Sequence, residues 1–445
     1  MSERPRLAVI GTGYLGATHA VCMAELGYQV IGLDVDKTKV ARLNGGEVPF
    51  YEPGLPELLA RHVGTDRLRF TTSYAEVAEF ADVHFVCVGT PQKRGTFAAD
   101  MKYVDAAFLA LATALNDHGG ARRVLVVGKS TVPAGTAARV QKLLANESNS
   151  ADVELAWNPE FLREGFAVRD TLNPDRLVFG VESSWAEAQL RAAFAPVIAT
   201  GTAVITTDFA TAELVKVAAN SFLATKISFI NAMAEICEVV GADVSLLADA
   251  IGHDARIGRR FLNAGLGFGG GCLPKDIRAF IARAEELGVD QAVSFLKDID
   301  DINQRRRART VDLAEEVMGG SLRGVHVAVL GAAFKPDSDD VRDSPALDVA
   351  VAVRREGGRV TVYDPQAMDN ARELHPELDF GSSLAATVDG ADLVMLLTEW
   401  PEFRNMDPTE IGQLVRARNI VDGRMVIDPA QWRAAGWTYR GLGRP

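Results

Sequence analysis

The chain has 445 residues, enough for two or three domains that each bury a core, and its 48% hydrophobic and 24% charged content is ordinary for a globular enzyme. Its formal net charge of −12 at pH 7 argues against a general binder of nucleic acids or membrane surfaces, because such proteins need a cationic field. No apolar run reaches the roughly 18 residues of a membrane span, and a glycine-rich turn stands where a signal peptide would need an apolar stretch, so we expect a cytoplasmic protein.

Strand-like and helical patterns alternate over the first 200 residues. The strand-like runs are RLAVIG, YQVIGLD, RLRFTT, VHFVCVG, RVLVVGKS and VELAWNP. Short runs that are apolar on both faces and separated by helices indicate a parallel sheet covered on both sides. We predict a doubly wound, nucleotide-binding domain over residues 1–200.

The first strand leads directly into the turn GTGYLG. Gly11 permits a tight turn, Gly13 lets the backbone approach a pyrophosphate, and Gly16 lets helix and strand pack closely. Asp34 ends the second strand, where a carboxylate can accept hydrogen bonds from an adenosine ribose and would repel the extra phosphate of NADP. The pattern therefore predicts NAD as the cofactor, in a site that also includes Tyr14, Leu15 and Lys39.

Two further loops follow strands at the carboxyl edge of the predicted sheet. One contains Gly89, Thr90 and Pro91, and the other contains Ser130 and Thr131. Such residues favour turns in any protein, but ligands of open α/β folds bind at this edge. We expect both loops to contact the cofactor.

A continuous helical pattern runs from Asp208 to about Val240, with Asp208 able to cap its start and Gly241 able to end it. Its apolar residues occupy more than one face, which indicates burial against two neighbours. We predict a central helix that joins the outer domains and forms a dimer interface. Lys216 and Asn220 project from one face of this apolar helix, where polar groups need partners such as a site would provide.

The segment GLGFGGGCLPKD, residues 265–276, surrounds a cysteine with glycines. Cys272 lies just before a helix that Pro274 would open, so the helix dipole and Lys275 favour its thiolate, the nucleophile that covalent oxidation of an aldehyde requires. The remaining cysteines fall in helical or strand patterns and are interpreted as core residues of a reduced protein: Cys22, Cys87 and Cys237. None of the four has partners at metal-ligand spacing, so we predict no metal site.

After the central helix comes a basic stretch in which Arg305 to Arg307 are interpreted as a solvated helix face. The strand–helix alternation then returns in GVHVAVLG, GRVTVYDP, ADLVMLLTEW and RNIVDGR. The predicted fold is α/β, with two doubly wound, Rossmann-like domains joined by a long central helix. The predicted boundaries are 1–200 for the NAD-binding domain, 201–319 for the helical middle with the cysteine loop, and 320–445 for the second doubly wound domain.

Eight motifs occur in order along nearly the whole chain: GTGYLG, VGTPQ, STVPAGT, NPEFLREG, TAELVKVAANSFLATKISFINAMAE, RIGRRFLNAGLGFGGGCLPKD, FKPDSDDVRDSP and VDGR. Together they resemble the UDP-glucose 6-dehydrogenases, within the wider UDP-glucose/GDP-mannose dehydrogenase family. The resemblance implies an NAD-dependent homodimer that oxidises UDP-glucose to UDP-glucuronate for polysaccharide biosynthesis, and it makes the last domain the one that binds the UDP-sugar.

The resemblance also implies roles for single residues. The catalytic set would be Cys272 as the thiol, Lys216, Asn220 and Asp276 as its polar partners, and Thr131 and Glu160 for an ordered water. The cofactor site would gain Glu164, Lys275 and Arg342. The sugar nucleotide would contact Glu160, Phe161, Leu162, Arg163, Lys216, Asn220, Phe261, Gly269, Phe334, Lys335 and Arg424, with Arg256 donated across the dimer.

In the chemistry that the resemblance implies, one NAD takes a hydride from C6 of the glucose unit and Cys272 traps the aldehyde as a thiohemiacetal. A second NAD oxidises this adduct to a thioester, which water hydrolyses. Lys216 and Asn220 would stabilise the oxyanion, while Asp276, through water, and Glu160 would handle protons. Two departures, GGGC where many relatives have GGSC and Asn263 where some have a basic residue, leave the reacting groups in place and would change substrate affinity.

Two alternatives stay open at this point. A GDP-mannose or UDP-N-acetyl-mannosamine dehydrogenase uses the same thiol chemistry, although RIG at 256–258 followed by RRFLNAGLGFGGG resembles the UDP-glucose group more. A non-catalytic NAD-binding sensor belongs to another class. The presence of Cys272, Lys216, Asn220 and Asp276 together speaks against a sensor, because binding alone needs none of that set.

Overall fold

A computed structural model describes residues 4–118, 122–147 and 152–444. The chain forms two compact units, Met1–Ala219 and Asn220–Pro445. A helix of 32 residues, Phe209–Val240, runs from the first unit into the second.

The first unit contains an eight-stranded sheet with helices between its strands. The strands are β1 (Leu7–Ile10), β2 (Val30–Leu33), β3 (Leu68–Thr71), β4 (Val83–Val86), β5 (Arg123–Gly128), β6 (Asp152–Trp157), β7 (Arg176–Gly180) and β8 (Ala203–Thr207). The helices are α1 (Tyr14–Glu25), α2 (Lys37–Asn44), α3 (Leu55–His62), α4 (Tyr74–Phe80), α5 (Lys102–His118), α6 (Thr136–Glu147), α7 (Ala167–Leu172), α8 (Ser184–Ala193), α9 (Ala195–Ala199) and α10 (Phe209–Val240).

The strand order in this sheet is β3-β2-β1-β4-β5-β6-β7-β8. All neighbouring strands are parallel except β6 and β7, which pair antiparallel at Trp157 and Gly180. Alternate residues of β1 face different cores, since Leu7 and Val9 pack into one cluster of buried side chains and Ala8 and Ile10 into another. Burial on both faces explains why the strands read as continuous apolar runs.

The long helix α10 has the ends that the sequence predicts. Asp208 caps its start by accepting a hydrogen bond from the Thr211 amide at 2.8 Å, and Gly241 follows its end with a φ of +73°. An oxygen acceptor at the N-cap and a glycine in the left-handed region at the C-terminus are the local signals that end a helix.

The second unit has a six-stranded parallel sheet of order β11-β10-β9-β12-β13-β14. Its strands are β9 (His326–Leu330), β10 (Arg359–Tyr363), β11 (Asp379–Phe380), β12 (Leu393–Leu396), β13 (Asn419–Asp422) and β14 (Thr438–Gly441). Its helices after α10 are α11 (Val244–Gly252), α12 (Leu273–Glu286), α13 (Phe295–Val317), α14 (Pro345–Arg355), α15 (Met368–Leu374), α16 (Leu384–Val388), α17 (Pro401–Arg404), α18 (Pro408–Leu414) and α19 (Pro429–Ala434), with a 3₁₀ turn at Asp290–Val293.

The two sheets share one topology. Six strands of each follow the 3-2-1-4-5-6 order of the dinucleotide-binding fold. The prediction of two doubly wound, Rossmann-like domains joined by a long helix is therefore confirmed. In the described part of the chain, no helix has the length and apolar character that would let it cross a bilayer.

The glycine loop, residues 265–271, is pressed against the rest of the second unit. A Cβ at Gly265 would lie 2.7 Å from the Gly423 carbonyl oxygen, and one at Gly270 would lie 2.7 Å from the Phe334 ring. Gly267 has a φ of +103°, and a Cβ there would collide with the Asn303 side chain. The glycines are required because the loop lies too close to its neighbours for side chains.

The interpretation of Arg305 to Arg307 as a solvated face is wrong for two of its members. Arg306 is fully buried and bonds the Gly265 carbonyl oxygen at 3.2 Å and Glu238 at 3.4 Å. The Arg307 guanidinium lies 2.8 Å from Asp343. Burying a guanidinium is costly unless its donors find acceptors, and these acceptors come from distant parts of the sequence.

Asn303 offers a test of what holds the glycine loop. Its side chain accepts from the Phe268 amide at 2.7 Å and donates to the Phe268 carbonyl oxygen at 2.9 Å. Replacing it by alanine leaves both buried groups without this partner, at a cost of about 1–3 kcal/mol. We expect Asn303→Ala to speed amide hydrogen exchange across residues 265–271, measured by mass spectrometry.

The matched control is Asn370→Ala, because exposed Asn370 makes a single hydrogen bond to the Asp339 carbonyl oxygen at 2.8 Å. It should leave exchange at residues 265–271 unchanged. Wild-type exchange in Asn303→Ala would show that this residue does not hold the loop.

Candidate active site

The turn between β1 and α1 has the geometry of a dinucleotide-binding turn. Gly11 has a φ of +87°, and its amide donates to a carbonyl oxygen at the end of β2 at 2.7 Å. A Cβ at Gly13 would meet no atom within 4 Å, whereas one at Gly16 would collide with the Gly11 carbonyl oxygen. The backbone at Gly13 therefore borders open space beside the first residues of α1, Tyr14 and Leu15, while α1 packs tightly on the strand.

Asp34 is buried at the end of β2. One of its oxygens accepts from the Thr12 amide at 2.9 Å and the Lys39 ammonium at 3.0 Å, and the other accepts from the Asp36 amide at 3.1 Å. Burial alone would raise the pKa of this carboxyl, but the hydrogen bonds from Asp36, Lys39 and Thr12 outweigh burial and lower it. Asp34 is therefore a carboxylate at neutral pH.

The two predicted loops at the carboxyl edge are bonded to each other. The Thr90 hydroxyl donates to the Thr131 carbonyl oxygen at 2.9 Å, and the Ser130 hydroxyl donates to the Val88 carbonyl oxygen at 2.5 Å. Thr90 and Ser130 are buried, while Gly89 and Pro91 are exposed. The structure thus brings this predicted group together at one edge of the sheet.

Lys216, in the second turn of α10, forms a buried ion pair with Glu160. Its ammonium lies 3.0 Å from a Glu160 oxygen, and the two side chains are 6% and 12% exposed. The other Glu160 oxygen accepts from the Leu162 amide at 2.8 Å, and the ammonium lies 5.6 Å from the centre of the Phe161 ring. Four predicted site residues therefore meet around one charge pair.

Two buried charged residues near this pair escaped the sequence analysis. Glu213, one turn before Lys216, accepts from the amides of Gly135 and Ala137 at 2.7 and 2.6 Å, which ties α10 to the loop that contains Thr131. A glutamate in a long helix carries no motif signal. The donors it satisfies, two backbone amides, are visible only in the folded chain.

Lys129 is the second of these residues. Its ammonium donates to the Asn158 side chain at 2.9 Å, two residues before Glu160. Burial lowers the pKa of Lys129, and Glu160 and Lys216 are among the charges that act on it. A lysine within the apolar run RVLVVGKS is unusual, and this could have marked it as a site residue.

Glu52 connects the dinucleotide turn to the segment 160–167. It is 1% exposed and accepts hydrogen bonds from the Tyr14 hydroxyl, from the Gly165 amide at 2.7 Å and from the Ala167 amide at 2.7 Å. Burial, together with Glu52, raises the pKa of Tyr14. Tyr14 and Glu164 are thereby held close, although sequence reasoning did not identify the residue that holds them.

Arg163 is directed elsewhere in the same unit. Its guanidinium makes two hydrogen bonds, of 2.8 and 2.7 Å, with Asp170 in α7, and its side chain is 54% exposed. This arrangement anchors the end of the segment on α7.

In the second unit, Cys272 occupies the N-cap position of α12 and is exposed. The Asp276 amide donates to its carbonyl oxygen at 2.9 Å. The Asp276 carboxylate accepts from the Asn220 amide group at 2.6 Å and from the Lys275 ammonium at 2.6 Å. Three predicted residues therefore meet in the first turn of the helix that Cys272 begins, where the helix dipole favours a thiolate.

The other cysteines are buried, as the sequence predicts: Cys22, Cys87 and Cys237. Burial raises the pKa of both Cys22 and Cys87 to about 12. Within the described residues, no three His, Cys, Asp or Glu side chains are grouped as a metal ion would need. Reactive thiol chemistry is thus concentrated at Cys272.

The predicted sugar-nucleotide residues of the second unit surround the glycine loop. The Arg424 guanidinium donates to the carbonyl oxygens of Gly267 and Phe334, both at 3.1 Å, and lies 3.2 Å from Glu399. A Cβ at Gly269 would lie 2.6 Å from Pro345. The Lys335 ammonium lies 5.4 Å from the centre of the Phe334 ring.

Two predicted residues of this unit lie on its surface. Arg256 is paired with Asp254 at 2.6 Å, and its side chain is 90% exposed. Phe261 is exposed and has a φ of +66°, a strained value for a residue with a side chain.

Comparison with known proteins identifies the family. Three family models match: the NAD binding domain of the UDP-glucose/GDP-mannose dehydrogenase family at residues 5–198, its central domain at 210–305 and its UDP binding domain at 328–429. The chain belongs to the UDP-glucose/GDP-mannose dehydrogenase family. It is an NAD-dependent dehydrogenase, as the sequence predicts.

Relatives resemble this dehydrogenase over nearly their whole length. UDP-glucose 6-dehydrogenase TuaD of Bacillus subtilis is 40% identical over 99% of this chain and 93% of its own, and UDP-glucose 6-dehydrogenase of Pseudomonas aeruginosa is 41% identical over 99% and 98%. A UDP-glucose dehydrogenase structure from Pyrobaculum islandicum has a TM-score of 0.91 and 39% identity, covering 100% of this chain and 99% of its own. A UDP-D-ManNAc dehydrogenase structure from Pyrococcus horikoshii has 0.84 and 27%, covering 99% of each chain.

The residues of the first unit fit NAD. The open space at Gly13 would admit a pyrophosphate, and the charged Asp34 at the end of β2 suits an adenosine ribose. Val35, beside Asp34, is 80% exposed, and its apolar side chain suits the face of an adenine.

The fit predicts how the dehydrogenase distinguishes its cofactor from NADP. Asp34→Asn removes the charge that repels a 2′-phosphate and weakens the acceptor for the ribose. We expect the Kd for NADH to rise about tenfold, since a hydrogen bond to a charged group contributes about 1.5–3 kcal/mol. The preference over NADPH should fall, measured by fluorescence titration.

Asp36→Asn is the control, because Asp36 caps α2 through the Thr38 amide at 2.8 Å and asparagine caps helices equally well. It should bind NADH as the wild type does. An unchanged preference in Asp34→Asn would exclude the proposed role of this carboxylate.

Proposed function

We propose that this dehydrogenase oxidises UDP-glucose to UDP-glucuronate, with Cys272 holding the intermediate covalently. The observation that carries the choice of sugar is the difference in identity between groups of relatives. The UDP-glucose enzymes reported above are 39–41% identical, whereas the UDP-D-ManNAc dehydrogenase of Pyrococcus horikoshii is 27% identical at similar coverage. The UDP binding domain model at 328–429 supports a UDP-sugar.

The overall reaction has a fixed balance. One UDP-glucose, two NAD⁺ and one water give one UDP-glucuronate, two NADH and three protons. NAD, when bound, supplies the acceptor for the hydride that leaves C6 in each oxidation. Every remaining task in the reaction falls to side chains of the protein.

Cys272 takes the part of the nucleophile. Its sulfur forms a bond to the C6 aldehyde and gives a thiohemiacetal, whose oxidation leaves a thioester that water then cleaves, releasing the thiol. The exposed position at the start of α12 supports this assignment, because the helix dipole stabilises a thiolate there. A thioester is a better substrate for hydrolysis than an oxygen ester.

Lys216 and Asn220 are assigned to the oxyanion that develops at C6, since both are polar residues on the one apolar helix α10. Asp276, acting through water, and Glu160 would transfer protons, with Thr131 orienting the water. The buried contacts of Asp276 with Asn220 and Lys275, and of Glu160 with Lys216, support these roles because they hold each carboxylate in one place.

The binding assignments follow from the predicted groups. The cofactor would be held by Gly11, Gly13, Tyr14, Leu15, Gly16, Asp34, Lys39, Gly89, Thr90, Pro91, Ser130, Thr131, Glu164, Lys275 and Arg342. The sugar nucleotide would be held by Glu160, Phe161, Leu162, Arg163, Lys216, Asn220, Phe261, Gly269, Phe334, Lys335 and Arg424. We assign these tasks to domains at 1–200, 201–319 and 320–445, in a protein of the cytoplasm, where the thiol stays reduced.

A homodimer through α10 is the second part of the proposal. Phe222, Phe229 and Ile236 are 66%, 47% and 54% exposed and recur every seven residues, so they form one apolar stripe along the helix. Such a stripe on a soluble protein marks an interface. The occupant would be the same stripe of a second copy, which would also bring Arg256 of the partner subunit to the substrate.

Product analysis tests the reaction. We expect the wild type to release two NADH per UDP-glucose and to give UDP-glucuronate by mass spectrometry. Cys272→Ser should slow the second NADH at least about a hundredfold, because a serine hydroxyl is a much weaker nucleophile than a thiolate. Turnover with GDP-mannose but not with UDP-glucose would reject the choice of sugar, and normal stoichiometry in Cys272→Ser would reject the thiol mechanism.

The oligomer has its own test. Phe229→Glu places a charge in the stripe and should yield a monomer by light scattering, with lost turnover because the partner's Arg256 is absent. Leu109→Glu is the control, since Leu109 is also apolar and 44% exposed but lies on α5. A dimeric Phe229→Glu variant would place the interface elsewhere.

A further inference from the structure

At Gly271, another residue fills the space that a side chain would occupy. An ideal Cβ on Gly271 would lie 2.6 and 2.7 Å from the two terminal nitrogens of Arg342, closer than real Cβ contacts occur. The guanidinium of Arg342 therefore occupies the space that a side chain at 271 would take. Cys272 is the next residue along the chain.

Arg342 also holds this part of the loop through its backbone. Its carbonyl oxygen accepts from the Gly270 amide at 3.0 Å. The peptide that leads into Cys272 thus has the Arg342 main chain at Gly270 and the Arg342 side chain at Gly271. The main chain and the side chain of one residue therefore both contact the peptide that precedes the thiol.

Asp340 fixes the direction of the guanidinium. Its carboxylate accepts from the Arg342 amide at 2.9 Å, from Nε at 2.8 Å and from Nη2 at 2.7 Å. The two side-chain bonds form a planar, bidentate pair, which limits rotation of the arginine. The Arg342 side chain is 63% exposed, yet it is paired with Asp340.

Asp254 and Arg256 form the same kind of pair, so the pairing of Asp340 with Arg342 needs only two residues that are close in sequence. There, too, an aspartate two residues earlier accepts from the arginine amide at 2.9 Å, from Nε at 3.0 Å and from Nη2 at 2.6 Å. The Arg256 side chain is 90% exposed. Arg342 differs from Arg256 because its guanidinium lies against the backbone of Gly271, the residue before the exposed Cys272.

We propose that Arg342 is a positioning residue for the Cys272 thiol, which it serves by resting on the bare backbone at Gly271. This inference deepens the proposed function, since it rests on Cys272 as the nucleophile. The guanidinium holds the peptide that presents the sulfur, and its positive charge favours the thiolate. A side chain at position 271 would compete for this space and would displace the arginine.

Other charged groups lie on the two elements that carry Cys272 and Arg342. On α12, the Lys275 ammonium is paired with Asp276 at 2.6 Å, and Asp276 also binds Asn220. In the loop before α14, Asp340 is paired with Arg342, and Asp343 is paired with Arg278 and Arg307 at 3.1 and 2.8 Å. The variants below leave all of these except the Arg342 pair intact.

Alkylation of the thiol by iodoacetamide measures the effect directly, in the full-length protein without NAD or sugar nucleotide. Because Cys22, Cys87 and Cys237 are buried, the reaction reports Cys272, and Cys272→Ala should abolish it. We expect Arg342→Gln to slow alkylation about threefold to tenfold at pH 7 and to move the pH profile upward, with no loss of the limiting rate at high pH. Arg342→Lys keeps the positive charge but cannot form the bidentate pair, so its alkylation rate should lie between those of the wild type and Arg342→Gln.

Gly271→Ala should act in the same direction, because its methyl group displaces the guanidinium, a flexible group that can move without unfolding the loop. If it acts through Arg342, it will add nothing in an Arg342→Gln background. Gly412→Ala, in α18, is the matched control, since its Cβ would lie 2.9 Å from the guanidinium of Arg418. Arg372→Gln, an exposed arginine paired with Asp369 at 3.0 Å, controls for the loss of one positive charge.

The outcomes separate this inference from the proposed function. An Arg342→Gln profile identical to that of the wild type, or fully additive effects of the two substitutions, would overturn the role of Arg342 while leaving the thiol mechanism standing. Normal turnover by Cys272→Ser would overturn the mechanism while leaving the alkylation result intact. A shift in alkylation without NAD cannot arise from a role of Arg342 in cofactor binding.

Discussion

The second unit depends on one close approach: the backbone of the glycine loop is pressed against several neighbours. Residues 265–270 are all buried, yet the cysteine that follows them is exposed. The loop can be held this tightly because glycines allow Gly423, Asn303 and Phe334 to contact its main chain directly. A loop fixed by so many contacts presents its one reactive side chain in a defined place, and a catalytic group benefits from that fixed position more than from flexibility.

Buried charged residues do the corresponding work in the first unit. Glu52 and Glu213 each accept two or more backbone amides from a different loop at the carboxyl edge, and Lys129 holds Asn158 next to Glu160. Each charge is expensive to bury, so each is hydrogen-bonded to a polar group of the protein. The loops are consequently positioned by the folded core rather than by their own turn chemistry.

Sequence-based prediction succeeded where the deciding interactions join residues that are close in the sequence, and it failed where they join distant ones. The dinucleotide turn at Gly11 and the ends of α10 at Asp208 and Gly241 were predictable, because each is decided by chemistry within a few residues. Glu52 and the burial of Arg306 were not, since their partners Gly165 and Glu238 lie far away in sequence. Resemblance to a family added candidate site residues such as Glu160 and Arg424, but not the residues that position them.

The two sheets share a topology but not a binding turn, and local residues explain the difference. Gly331 has a φ of +117° and donates to a strand carbonyl oxygen at 2.8 Å, as Gly11 does. Helix α1 then begins at once, whereas α14 begins only at Pro345. Asp364, which corresponds to Asp34, is fully bonded by amides of the protein and by Trp400 at 3.0 Å. The turn in the second sheet therefore offers neither a helix N-terminus for a pyrophosphate nor an unoccupied carboxylate for a ribose. The residues that follow it, 334–345, pack around the glycine loop instead.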